Sequence, residues 1–282
     1  MSANVEALMR RMTEAERGHS GPLVRPRDAA TLILVDRTSR PPKVLLGKRH
    51  AGHKFMPGKY VFPGGRVEPL DRRMASEARL DPHVEAQLLR KTQLSSSRAA
   101  RALVMAAIRE TFEEAGLLLG IDVRHAPAAA DEAAWAALAA ARVRPDLSGI
   151  HFVARAVTPP GRPRRFDTRF FTADASAITH RIEGVVGPDT ELVELVWLPI
   201  TEAKKLDMPT ITTVALDELE ARVAAGLSHE LPVPFYRMLN RRFMREMLKP
   251  GNARTPRRCN CRWQSATNSA YCPASSPSAT FT

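Results

Sequence analysis

The sequence predicts an α/β sandwich, and three observations carry that expectation. Aliphatic and β-branched runs interleave with helical patterns along most of the chain. One predicted strand stops at Pro63-Gly64-Gly65, and one predicted helix ends in Glu110, Glu113, Glu114 and Gly116.

Taken in order, residues 1–18 read as an amphipathic helix with Val5, Leu8, Met9 and Met12 on one side, a packing element. Runs 30–35 and 43–49 predict paired strands around the Arg40-Pro41-Pro42 turn. Tyr60-Val61-Phe62 reads as a short strand stopped by Pro63, after which Gly64 and Gly65 open a loop where backbone can approach a ligand closely. Asp81-Pro82 has the form of a helix cap and first position, followed by Val84, Leu88 and Leu89 at helical spacing. Residues 131–141 read as an alanine-rich helix. Strands are expected at 150–157, 169–172 and 191–197, the first two separated by Pro159-Pro160-Gly161-Arg162-Pro163, and helices at 201–206 and 214–226. No internal repeat is present.

The chemistry is concentrated in Arg109-Glu110-Thr111-Phe112-Glu113-Glu114-Ala115-Gly116-Leu117. At about 100° per residue, Glu110, Glu113 and Glu114 share one helical face, and Val104, Ile108, Phe112 and Ala115 form an apolar stripe opposite. Such a helix is expected to bury one side and aim acid at solvent from the other. Hard carboxylate oxygens suit Mg²⁺ or Mn²⁺, which keep waters and borrow oxygens from substrate phosphates. The plainer alternative is a solvated face with Arg109 and Glu113 paired at i, i+4.

The glycine loop and the acidic helix together resemble the Nudix box. Gly65 fits its glycine, Asp71 its first acid as a conservative change, and Arg109 to Leu117 the rest, with Thr111 in the apolar slot. About thirty residues are inserted between Asp71 and Arg109, which costs little because loop closure grows only logarithmically with length. The insertion, about 72–99, is expected to form a lid or wall over the site. The interrupted box, with Phe62-Pro63-Gly64-Gly65 before it, is similar to the Nudix branch that includes acyl-coenzyme A diphosphatases. The likeness runs from about residue 25 to residue 219 and takes in Arg165-Phe166-Asp167-Thr168-Arg169-Phe170-Phe171.

That resemblance implies a Nudix-type α/β/α sandwich with a mixed β-sheet and a Mg²⁺- or Mn²⁺-dependent hydrolase that cleaves a diphosphate linkage. It implies Glu113 and Glu114 as metal ligands, Glu110 as a further ligand or the base, and Arg109 as the group that orients them. Gly64 and Gly65 would shape the loop and Gly116 end the helix. A glutamate from downstream completes such a site, with Glu191 preferred to Glu194. Arg164, Arg165 and Arg169 are candidates to clamp substrate phosphates, and His53 and Lys54 could reach the same pocket. Coenzyme A or acyl-coenzyme A is the first expectation for substrate, with ADP-ribose or NADH as alternatives and a non-catalytic sensing module as another class.

Composition bounds the rest. The chain has 282 residues, 44% of them hydrophobic, enough for one substantial core. No apolar run approaches a membrane span and the N-terminus lacks a signal-peptide core, so a cytoplasmic location without membrane attachment is expected. The net charge of +12 suggests nucleic acid, but eight basic residues against Glu246 alone lie beyond residue 240, and the body carries no recognised RNA or DNA motif. Cys259, Cys261 and Cys272 all lie near the C-terminus, so no disulfide framework supports the body. The expected organisation is a helical extension at 1–24, the main domain at 25–226, a helical segment at 227–249 and a disordered basic tail at 250–282. The abrupt change of composition after Leu248 also fits a tail read out of frame.

Overall fold

Strand β1 (Arg27–Asp36) turns Ala30, Leu32 and Leu34 to one side and Ile33 and Val35 to the other, so it is apolar on both faces. Such a strand needs cover above and below. The structure, a computed structural model, describes residues 3–15, 21–53, 56–74, 79–125 and 133–250. In it β1 pairs antiparallel with β2 (Lys43–Arg49) on one side and parallel with β9 (Phe166–Asp174) on the other. The sheet runs outward from β9 through β8 (His151–Val157), β12 (Val233–Leu239) and β13 (Arg242–Leu248), and outward from β2 to β11 (Leu192–Pro199). Short β3 (Tyr60–Val61) pairs with β2, and β4 (Gly64–Arg66) pairs with β1. Because β1/β9 and β8/β12 are parallel and the other pairs antiparallel, the sheet is mixed, as the resemblance implies. Two small ladders lie beside it: β5 (Leu117–Leu119) with β10 (Ile178–Arg181), and β6 (Ile121–Asp122) with β7 (Val143–Arg144).

Helices cover both faces and make three layers. On one face α4 (Ser97–Ala115) packs with α2 (Pro69–Met74), α3 (Pro82–Leu88) and α5 (Ala133–Ala140) over Leu32, Leu34, Phe152 and Phe171. On the other, α1 (Ala3–Ala15), α6 (Ile200–Ala203) and α7 (Thr210–Ala224) close over Ile33, Leu46 and Phe170. In α1 the residues read from the sequence as one apolar side do the packing, with Val5, Leu8 and Met12 all buried.

The cap at α3 also forms as the residues suggest. The Asp81 side chain accepts from the N–H groups of His83 and Val84 at 2.8 and 3.4 Å, and Pro82 opens the helix. The stretch of the insertion around this helix does not lie over the acidic turn, however. Glu85 meets Arg101 in the first turns of α4, Gln87 donates to the Leu231 carbonyl, and the Arg90 and Lys91 carbonyls accept from Arg155. Residues 81–91 are therefore wedged against the N-terminal half of α4 and the β8/β12 side of the sheet, because Val84 and Leu88 must be buried.

Two other expectations change. The middle of α4 is buried all round, from Ala102 through Ile108, because the helix lies between the sheet and α2, α3 and α5 instead of on the surface. Residues 227–249 are not helical: β12 and β13 form a hairpin whose two turn residues, Asn240 and Arg241, have φ values of 47° and 60°. That pair of left-handed residues gives the two-residue turn that matches strand twist, and the apolar residues then sort by alternation. Val233 and Phe235 reach one core, Tyr236 the other. The tail, with its cysteines, lies outside the described residues from position 251 onward, as does Lys54. Among the described residues no helix is long and apolar enough to cross a membrane.

At the start of β8, His151 stacks on His229 with ring centroids 4.1 Å apart. Burial, then the charges of His229, Arg222 and Arg37, lower its pKa to about 4, against an opposing effect of Asp81. In the unfolded chain an imidazole titrates near 6.5, so unfolding takes up a proton between the two values and stability falls as pH drops from about 6.5 to about 4. Urea denaturation should show the wild type losing about 1–2 kcal/mol more than His151→Asn over that window, a magnitude reduced by partial solvent screening. Equal losses in the two proteins would refute the assignment.

Candidate active site

The C-terminal turns of α4 and the β4 loop meet although about forty residues separate them in the chain. Gly65 sits so close to α4 that a Cβ placed on it would fall 2.2 Å from Glu110 Oε1, so any larger residue there would displace the Glu110 carboxylate from its present position. Beside it the Gly64 N–H donates to Glu114 Oε2 at 3.2 Å. Gly116 ends the helix in the left-handed conformation, φ 68°, with its N–H on the Phe112 carbonyl at 2.7 Å.

Arg109 joins the parts. Its side chain is 3% exposed and grips Asp71 with two bonds, Nε to Oδ1 at 2.9 Å and Nη2 to Oδ2 at 3.2 Å. Nη1 reaches Glu113 Oε2 at 2.7 Å and Glu110 Oε1 at 3.0 Å, and Nη2 donates to the Arg66 carbonyl at 2.9 Å. One guanidinium thus ties α2, the glycine loop and two glutamates of the acidic turn. Asp71 also accepts from the Glu68 N–H at 2.7 Å, which fixes the loop from below. Burial opposes the charge on Arg109, yet Asp71, Glu110 and Glu113 outweigh it and raise its pKa.

The glutamates differ in environment. Glu113 is exposed, Glu110 is partly buried, and Glu114 is 6% exposed. Burial pushes the Glu110 carboxyl up to about 7, with Arg109 pulling down and Glu113 and Asp71 pushing further up. Glu114 is raised well above the usual carboxylate range by burial first and then by Glu191, with Arg49 opposing.

Glu191 stands just ahead of β11 and completes this neighbourhood through Arg49, whose Nη1 binds Glu191 Oε1 at 2.8 Å while Nη2 lies 3.8 Å from Glu114 Oε1. His53 Nε2 lies 3.6 Å from the same Glu191 oxygen. Glu194 does not join them: it pairs with Lys48 and follows the alternation of Val196 and Leu198, on the sheet face away from α4. Arg49 was not singled out by sequence reasoning. Its one signal is its position at the end of β2, where alternation puts it on the α4 face with Leu45.

The three candidate phosphate clamps do not converge here. Arg169 is fully buried and bound to Asp28 Oδ1 at 2.7 Å, the Asp167 carbonyl at 2.6 Å and Thr92 Oγ1 at 3.2 Å, so it is a core ion pair and no clamp. Arg165 is occupied by the carbonyls of Thr158 and Val24 at 3.0 and 2.6 Å, and Arg164 points into solvent.

Among the described residues no three His, Cys, Asp or Glu side chains form a ready cage for a metal ion. The donors nonetheless fit a hard cation: two carboxylates are raised by burial and like charge, both beside a loop kept clear by glycine, and Mg²⁺ needs few protein oxygens.

No family model matches the sequence. A Nudix hydrolase of Alicyclobacillus acidocaldarius is similar in structure, with TM-score 0.55 and 29% identity, over 71% of this chain and 93% of that one. A Caenorhabditis elegans protein assigned as nudix hydrolase 7 is 36% identical over 92 residues, 33% of this chain. That match spans only 22% of the worm protein's length. A mixed sheet between helical layers, with an acidic helix closed on a glycine loop, defines the Nudix fold. The chain belongs to the Nudix hydrolase superfamily.

The Arg109–Asp71 pair should dominate local stability, since removing one partner of a buried pair leaves the other charge uncompensated. Asp71→Asn is expected to lower the unfolding free energy by about 3 kcal/mol in urea titrations. A loss below about 1 kcal/mol would mean that Glu110 and Glu113 alone satisfy the guanidinium.

Proposed function

We propose that the chain is a Mg²⁺- or Mn²⁺-dependent hydrolase that cleaves a diphosphate linkage in a nucleoside diphosphate derivative, with coenzyme A or acyl-coenzyme A as first choice. The observation that carries the reading is the closure of the acidic turn on the glycine loop, with Arg109 held between Asp71 and the glutamates. Glu110, Glu113, Glu114 and Glu191 would hold the ion. When bound, it would neutralise the diphosphate oxygens and ease attack by water at phosphorus.

The chain's own groups supply positioning and charge. Arg109 fixes Glu110 and Glu113, so their oxygens are set before substrate arrives. The Gly64 N–H and Arg49 orient Glu114, and Arg49 also holds Glu191 close to it. Glu110 either adds a ligand or takes a proton from the attacking water; a carboxyl raised to about 7 is suited to accept one near neutrality. The choice of coenzyme A derivatives rests on the interrupted box. ADP-ribose and NADH remain the alternative substrates, and a non-catalytic sensing module the alternative class.

Incubation with Mg²⁺ and a panel of coenzyme A, acyl-coenzyme A, ADP-ribose, NADH and nucleoside triphosphates, with both products read by mass spectrometry, separates these readings. Cleavage at a diphosphate is expected, and Glu114→Gln should reduce it at least about a hundredfold while the protein still melts cooperatively. No turnover on any member would favour the sensing module. Ending the chain after Pro250 should leave cleavage intact, whereas salt-dependent RNA binding that disappears with the tail would instead point to a nucleic-acid role.

A further inference from the structure

Next to the carboxylate site the surface reverses its charge. Arg25, Arg27, Arg66 and Arg72 line one open groove of about 760 Å³ together with Asp28 and Glu68. Both acids are already engaged, Asp28 by Arg169 at 2.7 Å and Glu68 by Arg66 at 3.3 Å. Arg25 reaches Gln93, while Arg27 and Arg72 are exposed and make no ion pair among the described residues. The groove therefore keeps unspent positive charge.

It is also built on the same supports as the acidic turn. Arg66 follows Gly65, and its carbonyl accepts from Arg109 Nη2 at 2.9 Å. Arg72 follows Asp71, the two-bond partner of the same guanidinium. The groove and the acidic turn thus share residues that are adjacent in the chain, Gly65 with Arg66 and Asp71 with Arg72. Glutamates cannot receive an anion without a cation between, but arginines receive one directly, and a phosphomonoester carries close to two negative charges at neutral pH.

Resting on the diphosphatase reading, we propose that this groove binds a phosphomonoester which the substrate carries away from its scissile diphosphate. The preferred substrates are then nucleoside diphosphate derivatives with an additional phosphate on the ribose. Arg27 and Arg72 are its principal contacts, by charge-assisted hydrogen bonds to the phosphate oxygens.

The test compares coenzyme A with dephospho-coenzyme A, and NADPH with NADH, in the wild type and in the double variant Arg27→Ala/Arg72→Ala. At low salt the wild type should favour the phosphorylated member of a pair by about tenfold in kcat/KM, expressed in KM, and the variant should bring that ratio to about one. A wild-type ratio of one, or a ratio kept in the variant, overturns the proposal and leaves the diphosphatase reading standing. If neither member of either pair is cleaved, that reading fails instead, and calorimetry decides the groove. Adenosine 3′,5′-bisphosphate binding about tenfold tighter than AMP, with the difference lost in the variant, supports it; equal binding of the two nucleotides overturns it.

Discussion

The buried guanidinium of Arg109 is the constraint from which the site follows. A charge taken out of water must be matched by partners in good geometry or the fold pays heavily. Asp71 supplies two bonds, the Arg66 carbonyl one, and Glu113 and Glu110 the remaining charge. Satisfying Arg109 therefore requires α2, the loop after β4 and the last turns of α4 to occupy one small volume. Gly65 is a consequence: with those three segments drawn together, a side chain where the chain passes Glu110 would push that carboxylate out of place. The thirty-odd residues between Asp71 and Arg109 are free to differ because the ion pair, and not the length of the connection, sets the distance.

Much of this was legible in the sequence, for physical reasons that can be stated. Strand β2 appears where its residues predict because a run of apolar residues flanked by a Pro turn and charged residues has few other uses. The α3 start was readable because Asp81 and Pro82 act locally, one accepting backbone N–H bonds and the other presetting a helical φ. The meeting of Gly65 with Glu110 was readable only through the resemblance to a known box, since nothing local links residues so far apart.

What stayed hidden depends on contacts at long range. Arg169 looked available for phosphate because a basic residue on a strand is usually exposed, yet Asp28, Asp167 and Thr92 enclose it. The β12/β13 segment reads equally well with apolar residues at helical or strand spacing. The parallel partner β8 decides, by offering Arg155 and Ala156 to Phe235 and Tyr236. Arg49 acquires a role only when β11 brings Glu191 beside it. The inserted segment was assigned to the site because it interrupts the box, but its apolar face had to be buried, and the N-terminal half of α4 was the surface that could bury it.

The balance of charge at the carboxylate site supports a ligand over a structural network. Asp71, Glu110, Glu113, Glu114 and Glu191 face two arginines, Arg49 and Arg109, and Arg109 is largely committed to Asp71. A network kept for stability alone gains by matching its charges; here Glu110 is raised by burial and by Glu113 and Asp71, and Glu114 by burial and by Glu191 and Glu110. Elsewhere the chain does match them, as in Glu218 with Arg245 and Tyr236. A surplus of acid, half buried beside a loop stripped of side chains, is a cost to folding that a hard cation arriving with an anionic substrate would relieve. The basic groove around Arg27 and Arg72 is lined also by Arg66, the residue after Gly65, so acid and base are separate but carried by neighbouring residues of one segment. That separation suits a molecule with two anionic centres, one reached through a metal ion and one bound by arginine directly.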